Sequence, residues 1–561
     1  MSRVKYGFHD VQVPESLLNH ELLKGINPLV LKIAYKNGFQ SAESIAQYLF
    51  GSGLRDEAFA MTDTDKAVVI LKDAIKNKKR IVVYQDYDAD GCCAGAVCLE
   101  CIRNIGGVIE SYVNARELDG YGICKNGIDK IGELYPDTQV ILTVDNGIVA
   151  HNAIAYAKNK GYKVIVTDHH LPGCTLPDAD AVIDPKRTDE VYPFHELCGT
   201  AVAYKLMLAL YYYMGKDNTP VKNTLDMVAL ATVADIVPLV EENRELVREG
   251  LKMMNAGHRS AINVMRNITN QKDVTSYTIG FIFGPMINAL SRMGEDSHLA
   301  TEALISNDTS FLEEKIKFLQ KTNEDRKGET DHECEIAMGM IDPLNMGSSI
   351  VLYSEQFQEG IIGIVAGRLK NEFHRPVVVF AKTEDPEVLK ASCRSIDEFP
   401  LKEKLDEIAD TMIGYGGHAK AAGLSIHLSE LENFRKKFTE MTDEIPKDAF
   451  IEHVELADVL SVEDVTVNNI VDLRLLEPHG EGNRVPLFGL KYTYDDVRFM
   501  GSEQQHVKYW NSQHNVSIIE WGGGEKERMR QAHNKIRSKV VGKMNLNVYN
   551  NRVYPQFICS G

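Results

Sequence analysis

The sequence IVVYQDYDADG, residues 81–91, decides the fold class, because a short apolar and β-branched run ends abruptly in three acidic residues. The same order occurs twice more: the apolar run 140–142 precedes Asp145, and the apolar run 164–166 precedes Asp-His-His at 168–170. Short apolar runs separated by segments of helix length predict parallel strands of an α/β sheet, whose carboxyl ends lie at one edge and form the ligand crevice. We therefore expect the acidic residues to converge in space.

Divalent metal binding explains so many carboxylates at one edge. Close carboxylates repel one another and resist ionisation unless cations neutralise them. In the hexapeptide 86–91 alternate side chains of an extended segment share a face, and Gly91 lets a helix begin directly afterwards. That hexapeptide alone is equally consistent with an acidic turn or a helix cap. Asp168-His169-His170 is harder to explain as capping, since imidazole is a ligand for manganese, cobalt or zinc.

A further aspartate lies inside an apolar stretch. Asp235 is the central residue of Val-Ala-Asp-Ile-Val, 233–237. An isolated carboxylate is costly to bury, and no basic residue is near it in the sequence. We interpret Asp235 as another metal ligand, whereas Asp145-Asn146-Gly147 by itself could be only a turn.

The composition indicates a multidomain cytoplasmic protein. A chain of 561 residues exceeds what one hydrophobic core usually supports, so about two to four domains are expected. No stretch of about 18 apolar residues is present, residues 1–5 do not open a signal peptide, and ten scattered cysteines suit a reducing compartment. The formal net charge of −18 argues against a broadly basic surface that coats nucleic acid, although a binding groove needs only local positive charge.

Changes of pattern along the chain predict five segments. The long segment 309–340 keeps helical apolar spacing amid dense charge, and short alternating runs such as 516–519 and 546–549 predict a β-barrel at the end. Another such run is 492–494. The expected segments are a helical N-terminal segment that forms a cap or docks onto the next domain (1–65), an α/β catalytic domain (66–305), a connecting helix (306–345), a second α/β domain (346–445) and a small C-terminal β-barrel or sandwich (446–561).

The acidic motifs resemble those of the DHH phosphoesterases. The matching residues are Asp88-Ala89-Asp90-Gly91, Thr143-Val144-Asp145-Asn146-Gly147, Thr167-Asp168-His169-His170 and Ala231-Thr232-Val233-Ala234-Asp235. Within that family the chain resembles the RecJ-like single-stranded-DNA-specific exonucleases over nearly its whole length. The further matches are Asn114-Ala115-Arg116, Asp119-Gly120-Tyr121-Gly122, Asp184-Pro185, Asn288-Ala289 with Arg292, Arg394-Ser395, Gly416-Gly417-His418-Ala419 and Leu476-Glu477-Pro478-His479-Gly480-Glu481-Gly482-Asn483. The resemblance implies that the second α/β domain is a DHH-associated domain and that the C-terminal domain is OB-fold-like.

The resemblance also implies the residues of the site. The implied metal ligands, for two Mn²⁺ or Mg²⁺ ions, are Asp86, Asp88, Asp90, Asp145, His169 and Asp235. Asp168 is expected to be a ligand or an orienting group, and His170 to donate to the scissile phosphate, unless a neighbouring carbonyl satisfies that histidine. The implied substrate-binding residues are Arg116, Asn288, Arg292, Arg394, Ser395, Gly416, Gly417 and His418. Two such metals can activate water and clamp the attacking and leaving oxygens of an in-line displacement at phosphorus.

The implied function is 5′ to 3′ exonuclease activity on single-stranded DNA, by a monomer that cooperates with a helicase and a single-strand-binding protein and has no contact with membranes. Two alternatives remain: a phosphodiesterase for short oligoribonucleotides or cyclic dinucleotides, and a non-catalytic replication scaffold. The scaffold predicts missing ligands, but every expected acid and histidine is present. A C-terminal domain with aromatic stacking residues favours a strand-binding enzyme. Its candidate aromatics are Tyr509, Trp510, Tyr549 and Tyr554, although for each of them singly a core position is favoured. Its basic run is Lys526, Arg528, Arg530, Lys535, Arg537, Lys539 and Lys543, which could equally be solvated surface.

Two departures from the RecJ-like pattern affect the expected site. The chain has Phe357-Gln358-Glu359-Gly360 where the exonucleases commonly carry Trp-His, so the usual histidine contact is in doubt. Leu290-Ser291 replaces the usual pair of small residues, which is expected to tighten the site. Neither change removes a metal ligand.

Overall fold

The computed structural model describes residues 4–51, 59–114, 122–343, 346–533, 538–550 and 552–560. Across these residues it contains four sheets, arranged in an order that follows the expected α/β, helix, α/β and all-β sequence of segments. No helix among them is long and apolar enough to cross a membrane.

The first domain is built on a five-stranded, wholly parallel sheet. Its strands are β2 (Arg80–Gln85), β3 (Val108–Val113), β4 (Thr138–Val144), β5 (Lys163–Thr167) and β6 (Ala181–Ile183), in the spatial order β3-β2-β4-β5-β6. From β2 the chain first adds β3 on one side of the sheet and then adds β4, β5 and β6 on the other side of β2. The strand order therefore changes direction between β2 and β4. Doubly wound sheets bind their ligands at such a switch point, outside the carboxyl ends of the strands.

Helices cover both faces of this sheet and separate its apolar layers. Its helices are Thr64–Lys76, Ala89–Asn104, Lys125–Leu134, His151–Asn159, Gly199–Tyr213, Thr219–Lys222, Leu225–Ala234, Glu241–Asn255, Ser260–Ile268, Ser276–Thr278, Gly284–Arg292 and His298–Ile305, with a π-helical turn at Ile279–Phe283. Along each central strand, successive side chains pack alternately into two different cores. Val83 and Leu142 lie with Ala89–Asn104, and Val82 and Ile141 lie on the opposite face. Burial on both faces explains why these strands are continuous apolar runs.

A single helix of 31 residues, Thr309–Gly339, leads from the first domain to the second. It agrees with the pattern in the sequence. The second domain has a mixed five-stranded sheet. Its strands are β7 (Ile350–Tyr353), β8 (Val377–Lys382), β9 (Val388–Arg394), β10 (Gly414–Gly417) and β11 (Ala421–His427), and its helices are Ile362–Phe373, Leu401–Glu407 and Leu431–Asp443. The spatial order of the strands is β10-β11-β9-β8-β7.

The C-terminal domain is a seven-stranded sheet in the order β13-β14-β18-β19-β17-β16-β15. The expected strand at 492–494 is wrong, because the preceding strand ends at Lys491. The expected strand at 546–549 is part of one long strand. The strands are β13 (Asp458–Ser461), β14 (Phe488–Lys491), β15 (Asp496–Met500), β16 (His506–Asn511), β17 (Val516–Glu520), β18 (Lys539–Tyr549) and β19 (Arg552–Cys559), and the helices are Val467–Asp472 and Gly524–Ala532.

The N-terminal segment shares its core with the C-terminal domain, not with the domain that follows it in sequence. Its β1 (Val4–Gly7) pairs in parallel with β12 (Glu452–Glu455), and its helices are Glu15–Leu18, Pro28–Lys36 and Ala42–Phe50. Leu31 and Ile45 belong to the same apolar cluster as Leu490 and Val507. The apolar core of this segment is thus completed by partners more than 400 residues away, while its contacts with the next domain include hydrogen bonds from Arg244 to Tyr48 O and from Arg248 to Gly51 O.

Candidate metal centre and substrate cavity

The first acidic motif is held where β2 ends and the helix Ala89–Asn104 begins. Asp88 is the N-cap of that helix, and its carboxylate accepts hydrogen bonds from the backbone N–H of Asp90 at 2.9 Å and of Gly91 at 3.0 Å. A side chain at position 91 would have its Cβ 2.4 Å from the carbonyl oxygen of Asp86, so only glycine permits this turn. The helix cap and the candidate metal site are thus one structure.

The second motif fixes the switch point between β2 and β4. Asp145 adopts a left-handed backbone conformation with φ 61°, which is uncommon for a residue other than glycine. The fully buried Asn146 amide donates to the carbonyl oxygens of Tyr84 at 3.0 Å and Val144 at 2.9 Å, and its Oδ1 accepts from the N–H of Ile123 at 3.1 Å. Asn146 therefore joins the ends of the two strands and positions Asp145 beside the first motif.

Asp90, Asp145 and Asp235 surround the ring of His169. Its Nε2 lies 3.1 Å from Asp145 Oδ1, 3.6 Å from Asp235 Oδ2 and 3.7 Å from Asp90 Oδ2. Asp90 also accepts hydrogen bonds from the N–H groups of Gly199 and Thr200, the first residues of the helix Gly199–Tyr213. Asp235 follows directly after the helix Leu225–Ala234. Four separate elements thus contribute to one cluster.

The chemistry of this cluster fits divalent metal ions. The potential ligand atoms form three groups, and within each group they all lie within 4.8 Å of one another. The groups are Asp86, Asp88 and Asp145; Asp90, His169 and Asp235; and Asp145, His169 and His170. Within the described residues, Asp86 Oδ1 and both ring nitrogens of His169 are buried without a hydrogen-bond partner. A buried polar atom without a hydrogen-bond partner costs free energy of folding, and coordination of a metal ion would supply the missing partner.

The electrostatics indicate the same conclusion. Burial, together with neighbouring carboxylates, raises the pKa of Asp86, Asp88, Asp145 and Asp235 above the ordinary value. Burial lowers the pKa of His169 to about 4, which keeps its imidazole neutral. A divalent metal binds the neutral form of imidazole and the ionised form of a carboxylate. His169 is already neutral, and a bound metal would supply the positive charge that favours ionisation of the carboxylates.

Asp168 has a different role from the other aspartates. Its Oδ1 accepts from His170 Nδ1 at 2.7 Å and from the N–H of His169 at 2.8 Å, and its Oδ2 accepts from the N–H of Ile148 at 2.9 Å. Burial opposes ionisation, but these hydrogen bonds and the charge of His170 hold the pKa of Asp168 below its ordinary value. Asp168 is thus positioned to orient His170, and of the two roles expected for it the geometry favours orientation.

A cavity of about 210 Å³ opens directly above the acidic cluster. Besides the aspartates it is lined by His170 and by Asn288, Ser291 and Arg292, which belong to the helix Gly284–Arg292. Asn288 Oδ1 accepts a hydrogen bond from the N–H of Ala89 at 2.7 Å, so this helix is attached to the start of the helix that Asp88 caps. Ser291, one of the departures from the family pattern, faces the cavity, while Leu290 is buried in the core.

A second cavity, of about 600 Å³, lies on the other side of Arg292. It is lined by Arg394, Gly416 and Gly417 of the second domain, and Arg292 contributes to both cavities. The two domains approach closely there, since a Cβ at position 360 would lie 2.1 Å from the carbonyl oxygen of Arg292. The structure thus brings four of the expected substrate-binding residues, Arg292, Arg394, Gly416 and Gly417, to one surface continuous with the acidic cluster.

The remaining expected residues are placed differently. Ser395 is buried, and its hydroxyl donates to the carbonyl oxygen of Phe399 at 2.6 Å, so it supports the cavity wall without lining it. His418 is exposed; burial of part of its ring and then the positive charge of His170 lower its pKa, so it lies within electrostatic range of the acidic cluster. Arg116 lies outside the described residues. Gln358 faces the connecting helix, where its backbone N–H donates to Glu333 at 3.0 Å.

Two cations near the site were not found by sequence reasoning. Lys186 follows the end of β6, and its charge acts on His169 and Asp235. It could have been found, because the rule that located the acids at strand ends also applies to β6. Lys390 lines the larger cavity opposite Arg292, but it lies within a strand of the second domain, where no local motif identifies it.

The C-terminal aromatics and basic residues are partly structural. Tyr509 is fully buried, and its hydroxyl donates to Glu527 at 2.8 Å, so it is a core residue. Arg530 pairs with Glu527 at 2.7 Å and with Glu520 at 3.6 Å. Tyr549 is 65% exposed, and Lys526 and Arg528 are exposed on the helix Gly524–Ala532. Lys535 and Arg537 lie outside the described residues.

Comparison with known proteins identifies relatives of all three sheet domains. Family models match residues 80–232 (DHH family, N-terminal domain), 347–444 (DHHA1 domain) and 457–561 (RecJ OB domain). The single-stranded-DNA-specific exonuclease RecJ of Salmonella typhimurium is 34% identical over 90% of this chain and 89% of its own length. The protein of the same name from Bacillus subtilis is 32% identical over 95% of this chain and 67% of its own length.

Solved structures give the same result. The crystal structure of RecJ from Thermus thermophilus in complex with Mn²⁺ superposes with a TM-score of 0.84 at 25% identity, covering 100% of this chain and 79% of that chain. A crystal structure of exonuclease RecJ bound to manganese superposes with a TM-score of 0.60 at 28% identity, covering 69% of this chain and 96% of that chain.

Proposed function

The chain belongs to the RecJ family of single-stranded-DNA-specific exonucleases, and from this membership we propose that it hydrolyses single-stranded DNA to 5′-mononucleotides, beginning at the 5′ end. The observation that carries the proposal is the acidic cluster itself, where, within the described residues, buried atoms of Asp86 and His169 have no hydrogen-bond partner beside a cavity of about 210 Å³. The residues proposed to hold two Mn²⁺ or Mg²⁺ ions are Asp86, Asp88, Asp90, Asp145, His169 and Asp235. Bound metal supplies Lewis-acid activation of water and neutralises charge on the phosphate.

The protein's own side chains bind and orient the scissile phosphate. The hydrogen bond to Asp168 raises the pKa of His170 despite its burial, so a protonated imidazole is favoured at the cavity wall. We assign to His170 a hydrogen bond to a phosphate oxygen and to Asp168 the orientation of that ring. Arg292 contributes a guanidinium at the boundary of the two cavities, where it can contact the phosphate next to the scissile one.

The 5′ polarity is proposed from the cations of the larger cavity. Arg292, Arg394 and Lys390 surround it, and a terminal phosphate carries more negative charge than an internal diester. Fixed guanidinium groups there can select that terminus by paired hydrogen bonds. By family resemblance Arg116 contributes to the same selection. The remaining expected contacts, from Asn288, Gly416, Gly417 and His418, are proposed to hold the adjacent nucleotides, and Ser395 to support them.

One assay tests the activity and its polarity together. The full chain is incubated with Mn²⁺ and a strand labelled at either end, beside duplex DNA, short RNA, a cyclic dinucleotide and pyrophosphate. We expect mononucleotides from the single strand, released first from the 5′ end. Faster turnover of the RNA or the cyclic dinucleotide, or product ladders that begin at the 3′ end, would contradict the proposal.

Arginine variants test how the terminus is selected. Arg292→Ala and Arg394→Ala are expected to slow degradation of 5′-phosphorylated strands at least about 10-fold more than of 5′-hydroxyl strands, because each removes charge-assisted hydrogen bonds to the phosphate. Arg368→Ala is the control, since Arg368 belongs to the same domain but pairs with Asp331 on the connecting helix. Equal treatment of the two termini by wild type and both variants would overturn the selection mechanism.

The cellular setting is also a proposal. We place the enzyme in the cytoplasm as a monomer that acts after a helicase has unwound the duplex and in the presence of a single-strand-binding protein. Mass measurement of the purified chain and pull-down with the two cognate proteins test these points.

A further inference from the structure

The segment that follows the proposed ligand Asp235 is strained. Ile236 has φ 61° and is 69% exposed, although a β-branched residue in the left-handed region is an outlier and exposure gives it no packing energy in return. Such conformations persist only where the surroundings impose them, and they concentrate at functional sites. The contacts of residues 236–240 therefore show what imposes this one.

A distant loop holds this segment. The loop 475–483, which connects into the C-terminal domain, accepts a hydrogen bond at Glu481 O from the N–H of Leu239 at 2.7 Å. A Cβ at position 480 would lie 2.7 Å from Leu239 Cδ1, and one at position 482 would lie 3.1 Å from Val240 and 3.2 Å from Pro238. Gly480 and Gly482 thus permit backbone to lie directly against the segment after Asp235.

Arg244 holds that loop in turn. Its side chain is 2% exposed, and its guanidinium donates to the carbonyl oxygens of Leu475 at 3.1 Å, Leu476 at 2.9 Å and Pro478 at 3.4 Å. It also donates to Tyr48 O of the N-terminal segment at 3.2 Å. Within the described residues it forms no salt bridge, so carbonyl groups of two other segments are its hydrogen-bond acceptors. The neighbouring Asn243 donates to Pro238 O at 3.0 Å.

The arrangement connects three parts of the chain at one metal ligand. From these contacts we propose that Arg244 is a positioning residue for Asp235: it fixes the loop 475–483, and that loop fixes the strained segment 236–240. Docking of the C-terminal domain and metal binding are thereby coupled. Because such coupling is reciprocal, metal binding also stabilises the docked loop. The inference rests on the proposed metal site and adds to it a control by the C-terminal domain.

Metal binding by the full chain is the direct test, independent of turnover. Isothermal titration measures the dissociation constant for Mn²⁺. We expect that of Arg244→Gln to be about 10-fold higher than that of wild type, which is the lower end of the range for residues that hold metal ligands in place without binding the metal. Gly480→Ala, which displaces Leu239 without touching Arg244, is expected to do the same. Amide hydrogen exchange of residues 475–483 should slow when Mn²⁺ binds wild type, and slow less in Arg244→Gln.

Matched variants separate positioning from general destabilisation. Arg248→Gln removes an arginine one turn further along the same helix that contacts Gly51 and Glu245, and Gly489→Ala introduces a milder contact with apolar side chains, 3.3 Å from Leu456 and from Val459, elsewhere in the C-terminal domain. Neither should change the Mn²⁺ constant. Equal Mn²⁺ binding by wild type, Arg244→Gln and Gly480→Ala overturns the inference, as does an equal loss in the controls. If Arg244→Gln does not fold, Gly480→Ala decides. Absence of Mn²⁺ binding by wild type would refute the proposed metal site itself.

Discussion

The acidic cluster at the strand ends and the helix Gly524–Ala532 both bring charged residues together, but the partners of those charges differ. In the acidic cluster, buried atoms of Asp86 and His169 have no partner within the described residues, and carboxylates face one another. In the helix Gly524–Ala532, Arg530 is held between Glu527 and Glu520 and the hydroxyl of Tyr509. Among the described residues, the first region thus leaves buried ligand atoms without hydrogen-bond partners, whereas the second pairs its cation with carboxylates.

Charged residues in a sequence thus point to a ligand site where the fold leaves them without a partner, and to a structural role where the fold supplies one. A buried carboxylate without a partner cation destabilises the fold unless a bound ligand, such as a metal ion, neutralises its charge. A cation that already has two carboxylates is stabilised internally and has little to offer a phosphate. Substitutions at four places test this contrast, from the largest expected effect to the smallest.

Loss of a single ligand should abolish activity. Asp145→Ala is expected to reduce Mn²⁺-dependent release of mononucleotides by more than about 100-fold, beyond the range for groups outside the ligand set. Single-strand affinity should change little, because most interactions with the strand lie elsewhere. Steady-state rates and a binding titration in the same buffer measure both. Substantial turnover by Asp145→Ala would show that the cluster is not the metal site.

Buried aspartates inside and outside the cluster should respond oppositely to a neutral replacement. In the absence of metal, Asp145→Asn should stabilise the fold by on the order of 1 kcal/mol, since it removes a carboxylate whose pKa burial and its neighbours raise. Asparagine also tolerates the left-handed backbone at that position. Asp226→Asn should destabilise by about 3 kcal/mol, because the buried Asp226 pairs with Arg259 at 2.7 Å.

Urea unfolding in the presence of chelator measures both changes. Destabilisation by Asp145→Asn of the same size as by Asp226→Asn would mean that the cluster is a structural network and not a site waiting for a ligand.

The cations of the helix Gly524–Ala532 should divide into binding and structural residues. Replacing Lys526 and Arg528 together with Ala should reduce the salt dependence of single-strand binding by up to about 0.7 in slope for each phosphate that the variant no longer neutralises, with no change in stability. Arg530→Ala should leave the slope unchanged and destabilise by on the order of 2 kcal/mol, since it strands the buried Glu527 and Glu520. Salt titrations of a fluorescent strand, with thermal unfolding alongside, measure these effects. The assignment fails if Arg530→Ala changes the slope most.

The smallest effect concerns a buried carboxylate far from the cluster. Burial raises the pKa of Glu333 on the connecting helix to about 7, from 4.5. The folded state therefore binds this proton more tightly than the unfolded state, so the contribution to stability is present below pH 4.5 and is lost as the pH rises to about 7. Glu333→Gln should remove that part of the pH dependence and leave Mn²⁺ binding unchanged. A weaker Mn²⁺ affinity in Glu333→Gln would contradict the distinction between the two sites.

Local pattern predicted much of the fold and of the site. Apolar runs with terminal acids predicted β2, β4 and β5, and the cluster of Asp86, Asp145 and His169 followed from their parallel arrangement. The connecting helix followed from helical spacing. The edge strand Val108–Val113 was not predicted, because its run of Val-Ile-Glu-Ser-Tyr-Val mixes polar and apolar residues.

Long-range partners decided between roles that the sequence had left open. Tyr509 could be core or a stacking residue, and it is core; Arg530 could be solvated or a DNA contact, and it forms an ion pair. The hydroxyl of Ser395, an expected substrate-binding residue, is bonded to the carbonyl oxygen of Phe399. The role of each side chain depends on which partner the fold supplies, and the sequence shows the group without the partner.

The α/β class of the first domain and the meeting of its acidic residues at one sheet edge followed from the sequence alone, since both depend on spacing within short segments that fold onto that edge. Only the tertiary structure decided that the N-terminal helices complete the C-terminal core, that Arg292 borders two cavities, and that Arg244 connects a loop more than 230 residues away to the segment after Asp235. The physical reason is that periodicity records which face of an element is buried, whereas the choice between equally apolar or equally polar partners is made by long-range packing and hydrogen bonding when the whole chain folds.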